Sequence, residues 1–447
     1  MRKIGLIIIL FNSLLFAQET KISVPYSLHT LENGLTVILH EDHTTPVISV
    51  NMLYHVGSGN EKPGHTGFAH LFEHLMFEGS ANVPEGKFDE WLEAAGGSNN
   101  GSTNADRTNY WDNIPTNALE LALFLESDRM GFLLEAMSPE KVDGQRDVVK
   151  NERRQSYENR PYGMVWIAFR EMLYPESHPY HWPTIGSMED LSAASYEDVI
   201  EFFNLYYSPN NVSLSIAGDI SQSETLELVE KWFGSIRRGK EVPSIEVPAL
   251  DLEEELRLTI EDNVQLPRIH LAWHTPAIFK SGDAEMDAVA SILTSGKNSR
   301  LYKRLIYDMQ IAQDVNAFQA SSMLGSYFMI RATARAGHTL EELEKVIEEE
   351  LNLLKSELPS EREIQRTVNQ IEASFVSRLE RVGGFGGKAD RLNHYFFQTG
   401  EPDYFDTDLN RYRNLTAESV QNAAKTYLTN ERVVISVIPE KLSEASE

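Results

Sequence analysis

Two histidines and a glutamate stand within five positions, His70-Leu-Phe-Glu73-His74. On a helix, residues three and four apart share a face, so His70, Glu73 and His74 project together. The flanking Phe68, Leu71, Phe72, Leu75 and Met76 recur at helical spacing, which predicts a buried amphipathic helix. Two imidazoles at that spacing can hold one zinc ion, and a carboxylate beside them can take a proton from water at the metal's open position. The order His-x-x-Glu-His is the reverse of the His-Glu-x-x-His signature of zinc hydrolases. As ordinary core residues the three would each need a buried polar partner, so the metal reading is the stronger.

A zinc ion that does hydrolysis takes three protein ligands and a water. The segment Ser138-Pro139-Glu140 opens a helix with an N-cap, a proline in the first turn and an early acid. That helix offers Glu140, Asp143, Asp147, Glu152 and Glu158 as the third ligand, and spacing does not rank them. His65, His178 and His181 fall outside the motif and read as loop residues.

The elements that must position these groups follow in order. Leu35 to Leu39 and Val47 to Tyr54 read as strands rich in β-branched residues. Lys87 to Ala95 reads as a short helix ending at Gly96-Gly97, and Leu119 to Phe132 as a longer one. Ser98 to Thr103 is polar and turn-rich, and on composition it reads as a loop. The helix from Pro139 should reach about Tyr157, where Pro161-Tyr162-Gly163 breaks it; Tyr196 to Asn204 is another helix and Val212 to Ala217 a strand.

A shift of 221 residues lays the first half on the second. It places Ser195, Glu197 and Val199 on Thr416, Glu418 and Val420, Tyr206 on Tyr427, and Pro46 on Pro267. One offset at both ends argues internal duplication. The same shift puts His70, Glu73 and His74 on Ser291, Thr294 and Ser295, so the copy lacks the metal chemistry. Mixed strands and helices in each half suggest an α+β fold of two homologous layers, each an antiparallel-rich sheet covered by helices. The expected organisation is a signal peptide over 1–17, a zinc-binding domain over 18–236, a linker over 237–250 and a zinc-less domain over 251–447.

At 447 residues with 41% hydrophobic residues, the chain can bury a large core. The formal charge of −27 disfavours nucleic acid and anionic lipid as partners. A basic start (Arg2, Lys3), an apolar run from Ile4 to Phe16 and Ala17 form a secretory signal pattern. There is no cysteine and no further apolar run of membrane-spanning length. A bacterial periplasm, or secretion, with no membrane association, is the expected location.

The run Gly64-His-Thr-Gly-Phe-Ala-His70-Leu-Phe-Glu-His74-Leu-Met-Phe-Glu-Gly79, followed by Arg146-Asp-Val-Val-Lys-Asn-Glu152, resembles the insulinase/pitrilysin family of zinc metallopeptidases. It is most similar to the roughly 50 kDa bacterial members related to mitochondrial processing peptidase, and Tyr207-Ser-Pro-Asn-Asn-Val212 and Ser299-Arg-Leu301 extend the likeness. The resemblance implies a clam-like fold, zinc as cofactor, His70, His74 and Glu152 as ligands and Glu73 as the base. It implies a second acid two helical turns before the ligand glutamate; that position is Gln145 here. Peptide substrates are implied to add as a strand along Ser98, Asn99, Asn100 and Gly101, with the two halves enclosing the site. An Arg and a Tyr that reach the substrate in many relatives fall on Ile306 and Gln313. The chain thus resembles the zinc-bearing subunit of a heterodimer with a zinc-less homologue, a homodimer being the other arrangement. The rival expectation is a non-catalytic scaffold of the same fold.

Overall fold

The computed structural model describes residues 21–250 and 252–440; the expected signal peptide lies outside them. The first half contributes β1 (Ser27–Thr30), β2 (Thr36–Glu41), β3 (Val47–Tyr54), β4 (Ser98–Thr103), β5 (Thr108–Pro115) and β6 (Val212–Gly218). They form one sheet in the order β1-β2-β6-β3-β5-β4, antiparallel throughout except for β2 with β6. Its helices are α1 (Phe68–Leu75), α2 (Lys87–Ala94), α3 (Leu119–Ala136), α4 (Pro139–Arg153), α5 (Val165–Leu173), α6 (Met188–Ala193), α7 (Tyr196–Tyr206) and α8 (Gln222–Phe233). Residues 237–250 carry neither helix nor strand.

The second half repeats the plan. Its strands are β7 (Leu256–Asp262), β8 (Arg268–Thr275), β9 (Ala312–Ala320), β10 (Ser326–Ala334) and β11 (Val433–Pro439). Their order is β7-β11-β8-β10-β9, with only β7 and β11 parallel. The helices are α9 (Asp283–Thr294), α10 (Leu340–Ser356), α11 (Glu361–Arg378), α12 (Lys388–Thr399), α13 (Phe405–Arg413) and α14 (Ala417–Tyr427). The 221-residue shift carries β3, α7 and β6 onto β8, α14 and β11 with identical ends (47 to 268, 196 to 417, 212 to 433). The duplication is therefore structural as well as sequential.

Strand alternation sorts each sheet into two faces. On β3, Ile48, Val50, Met52 and Tyr54 join Phe68, Leu71, Phe72 and Leu75 of α1 in the main core, together with residues of α3, α7 and α8. The opposite face carries Ser49 and Asn51 on β3 and Ser213 and Ser215 on β6, all buried. It is covered by α12 from the second half. Asn393 Nδ2 donates to Asn51 O at 3.0 Å, Asn51 Oδ1 at 2.8 Å and Ser213 O at 2.9 Å. The exchange is reciprocal, because α5 packs Val165, Phe169 and Leu173 on Ala272, Met329, Val433, Ile435 and Val437 of the second sheet. Each half lends one helix to the other; α12 combines polar bonds with apolar packing of Ala389 on Ala217 and Leu392 near Ile38, while the α5 cluster is apolar.

Candidate metal centre

The expected helix over the His motif is α1, and its apolar residues are buried while its chemistry-bearing ones are only partly so. The helix starts at Gly67, where φ is +92°, and a Cβ there would meet Ile185 O at 2.9 Å and Gly186 Cα at 3.0 Å, which leaves room for glycine alone. Gly67 N and Ala69 N donate to the buried Glu61 carboxylate at 3.0 and 2.8 Å, satisfying N–H groups that a helix start leaves unpaired.

The second helix of the site, α4, opens as the sequence indicates, with Ser138 Oγ accepting from Lys141 N. The helical backbone runs on to Glu158, about where expected, its α-helical part ending at Arg153 and a π-helical turn covering Arg154–Glu158. Arg153 Nη1 donates to Gly186 O at 2.6 Å, so the loop that touches the start of α1 also holds the end of α4. That clasp fixes the two helices whose side chains converge.

His70, His74 and Glu152 converge: one potential ligand atom from each lies within 4.8 Å of the others. Glu152 Oε2 stands 3.7 Å from His70 Nε2 and 3.4 Å from His74 Nε2. Burial, and after it the neighbouring His74, lowers the His70 pKa to about 4, so its imidazole is neutral near pH 7 and offers a lone pair. A hydrogen bond from His74 holds the Glu152 carboxyl below its ordinary value, as an anion. Two imidazoles and a carboxylate, brought together from two helices, form a donor set that fits zinc. His70 Nδ1 is buried without a hydrogen-bond partner among the described residues. The Glu152 side chain is 42% exposed, so the cluster opens to solvent.

Glu73 lies beside the cluster, against β4. A Cβ on Gly101 would come within 3.2 Å of Glu73 Cγ, so the absence of a side chain at 101 makes room for the carboxylate. Burial raises the Glu73 pKa above the ordinary carboxylate value, while a hydrogen bond from the Thr103 side chain and the charges of His74 and Arg107 pull it back. A partly desolvated carboxyl of that kind is a stronger base than one in water.

Composition suggests a loop for Ser98, Asn99, Asn100 and Gly101, but they lie in the edge strand β4. Pairing with β5, which carries Tyr110 and Trp111, overrides the low strand propensity of Asn and Gly. The Gly101 N–H is held by the side chain before it, Asn100 Oδ1, at 2.8 Å. Gln145 sits on α4 and donates through Nε2 to Glu78 Oε1 at 2.6 Å, so its amide is engaged by an acid just beyond α1. Ile306 packs against the second-half core and Gln313 is exposed on β9. His178 Nδ1 accepts from Tyr180 N at 3.0 Å and His181 Nδ1 bonds Tyr174 O at 2.7 Å, as expected of loop residues. Thr103, Arg107 and the Glu61 cap escaped sequence reasoning. For Arg107 the available signal was the charged pair Asp106-Arg107 in the turn after the Ser98–Thr103 segment.

Comparison with known proteins gives this geometry a context. The insulinase (peptidase family M16) model matches residues 36–170, and the peptidase M16 inactive-domain model matches residues 193–371. The sequence is 31% identical to the zinc protease PqqE of Helicobacter pylori over 363 residues, covering 80% of this chain and 81% of that one. The chain belongs to the M16 (insulinase) family. Within that family, a protease from Helicobacter pylori of known crystal structure superposes with a TM-score of 0.88 at 28% identity, covering 94% of this chain and all of that one. The fold is also shared, at 19% identity and a TM-score of 0.76, with the Escherichia coli periplasmic protease PqqL. That likeness spans 93% of this chain but 48% of PqqL, so two M16 halves here correspond to about half of the longer protein. The described helices include none long and apolar enough to cross a membrane.

Proposed function

We propose that this M16 chain is a zinc-dependent endopeptidase acting on short or unfolded peptides. The observation that carries the reading is the convergence of His70, His74 and Glu152 within 4.8 Å, with Glu73 on the same face of α1. Those three would hold the zinc, which supplies Lewis acidity to a water and to the scissile carbonyl. Glu73 takes the proton from the attacking water and returns it to the leaving amine. The peptide lies along β4, where the Asn100 side chain now occupies the Gly101 N–H and would yield it to the incoming strand. Gln145, through Glu78, steadies the segment behind the ligands.

Residues 18–236 act as the peptidase domain and 251–447 as its zinc-less companion, joined by 237–250. In place of the expected enclosure by the two halves, we assign enclosure to a second chain, because α12 of the second half packs on the sheet face away from α1 and the Glu152 side chain is 42% exposed. A zinc-less homologous subunit is the preferred partner, with a homodimer as the alternative, and Ile306 and Gln313 mark the groups a partner would supply. The N-terminal signal pattern and the fold shared with a periplasmic protease support a periplasmic setting. The test is cleavage of a mixed peptide pool by the purified chain, with and without a chelator and with and without a zinc-less homologue encoded by the same organism. Chelator-sensitive cleavage that rises with the partner is expected. Cleavage indifferent to the chelator would refute the zinc mechanism, and full activity of the lone monomer would refute the two-chain arrangement.

A further inference from the structure

The second half reaches the site from behind, through a chain of buried and part-buried polar contacts that ends at Arg107. Asp390 on α12 accepts from Asn109 Nδ2 on β5 at 2.5 Å and from Gly386 N at 2.7 Å. His394, one turn later, bonds through Nδ1 to Asp390 O at 2.9 Å, with Asp390 Oδ1 3.2 Å away. Its other nitrogen, Nε2, accepts from Arg107 Nε at 3.2 Å. A guanidinium has only donors, so His394 Nε2 must present a lone pair and the ring proton belongs on Nδ1. Arg107 stands in the turn between β4 and β5, and its Nη1 donates to Ser102 O of β4 at 2.6 Å. Its charge acts on the Glu73 carboxylate on one side and on Asp390 on the other.

An edge strand has one neighbour instead of two, so its position rests on few bonds. The adjacent turn residue is tied down as well. Asp106 accepts from Tyr180 OH and from Met323 N, the latter at 3.1 Å, and Leu324 N donates to Tyr180 OH at 3.0 Å. Two consecutive residues of the turn are thus anchored to the second half, one on α12 and one on the turn between β9 and β10.

We propose that Arg107 is a positioning residue, oriented by His394 and Asp390 of the second half, that sets the edge strand β4 and the carboxylate of Glu73. The zinc-less half then acts as a jig for the docking strand. This rests on the peptidase reading for its consequence but not for its structural content, and the experiment separates the two. Deuterium uptake over residues 98–103 is followed in the metal-free full-length chain, and KM and kcat are measured on the zinc-loaded one. His394→Ala should raise uptake at 98–103 about tenfold, as loss of a bond to a charged donor implies. It should raise KM about tenfold with a smaller change in kcat and with bound zinc unaltered. His394→Gln, whose side-chain oxygen can accept from Arg107, should restore both values. Arg107→Lys keeps the charge but cannot span Ser102 O and His394 together, so it should reproduce the alanine effect even if His394→Ala fails to fold. Uptake at 98–103 within twofold of wild type in Arg107→Lys, or no restoration by a folded His394→Gln, would overturn the proposal. Absence of cleavage by the wild type would overturn the peptidase reading alone, and the exchange data would still decide this one.

Discussion

The same position on the same scaffold occurs twice in this chain, and among the described residues only one copy gathers a set of potential metal ligands. In the first half the site is His70, Glu73, His74 and Glu152; 221 residues on stand Ser291, Thr294, Ser295 and Ala373. The difference is more than lost ligands. Thr294 Oγ1, at the position of Glu73, accepts from Ala317 N of β9 at 2.9 Å and lies 3.2 Å from Ala290 O. Ser291, at the position of His70, bonds Thr367 of α11 at 3.1 Å. In the copy the helix is stitched to its edge strand and its neighbouring helix; in the first half Glu73 keeps a bond to the edge strand through Thr103, but His70 and His74 meet Glu152 and His70 Nδ1 is left without a partner among the described residues. At the His70 position a candidate site is made by withholding the bond to the neighbouring helix, and a support is made by forming it.

That contrast can be broken in several places. The largest effect belongs to Glu73→Gln, which keeps the shape and removes the base: kcat should fall about 10²–10⁴-fold, with zinc retained by elemental analysis. Unchanged turnover would mean that Glu73 takes no proton. His74→Ala should abolish zinc retention after dialysis and with it all cleavage, while the thermal unfolding midpoint of the metal-free chain stays near wild type; full zinc occupancy would move the ligand set elsewhere. A second contrast is that α12 adds buried polar groups to its apolar contacts with the sheet, whereas the core that α5 forms with its sheet is apolar. Asp390 is held at a pKa of about 2 against its burial, by His394, Gly386 N and Arg107. A depressed carboxyl pKa contributes stability that is present above about pH 4 and lost as the pH falls to about 2. Over that window wild type should lose about 2 kcal/mol that Asp390→Asn does not lose. Parallel denaturation curves for the two proteins across pH 2–5 would contradict this. The smallest effect is in the copy. Thr294→Val should cost about 1–2 kcal/mol in denaturant unfolding, because a backbone N–H loses its acceptor. It should leave zinc content as it was.

Much of the site was legible because its signal is local. The spacing of His70, Glu73 and His74 is a property of one helix turn, and Ser138-Pro139 announces the next helix without reference to anything distant. The choice of Glu152 among the five acids that follow Pro139 needed the resemblance, since a third ligand depends on how two helices cross. The duplication was readable from one offset, and the sheet order follows it. The edge strand β4 was not legible: Ser-Asn-Asn-Gly has loop propensity, and only pairing with β5 makes it a strand. The helix exchange escaped for a similar reason, as Asn51, Ser213 and Asn393 look like surface residues until α12 of the other half covers them. Arg107 reads as a turn residue until His394, 287 positions away in sequence, is found against it.

The most direct measurement is anomalous diffraction at the zinc edge from a crystal of the zinc-loaded chain. A peak is expected between α1 and α4, with His70 Nε2 and His74 Nε2 at about 2.0–2.1 Å and a Glu152 oxygen at about 2.0–2.2 Å. No peak there, or a peak from which Glu152 points away, would contradict the metal centre and the hydrolysis built on it.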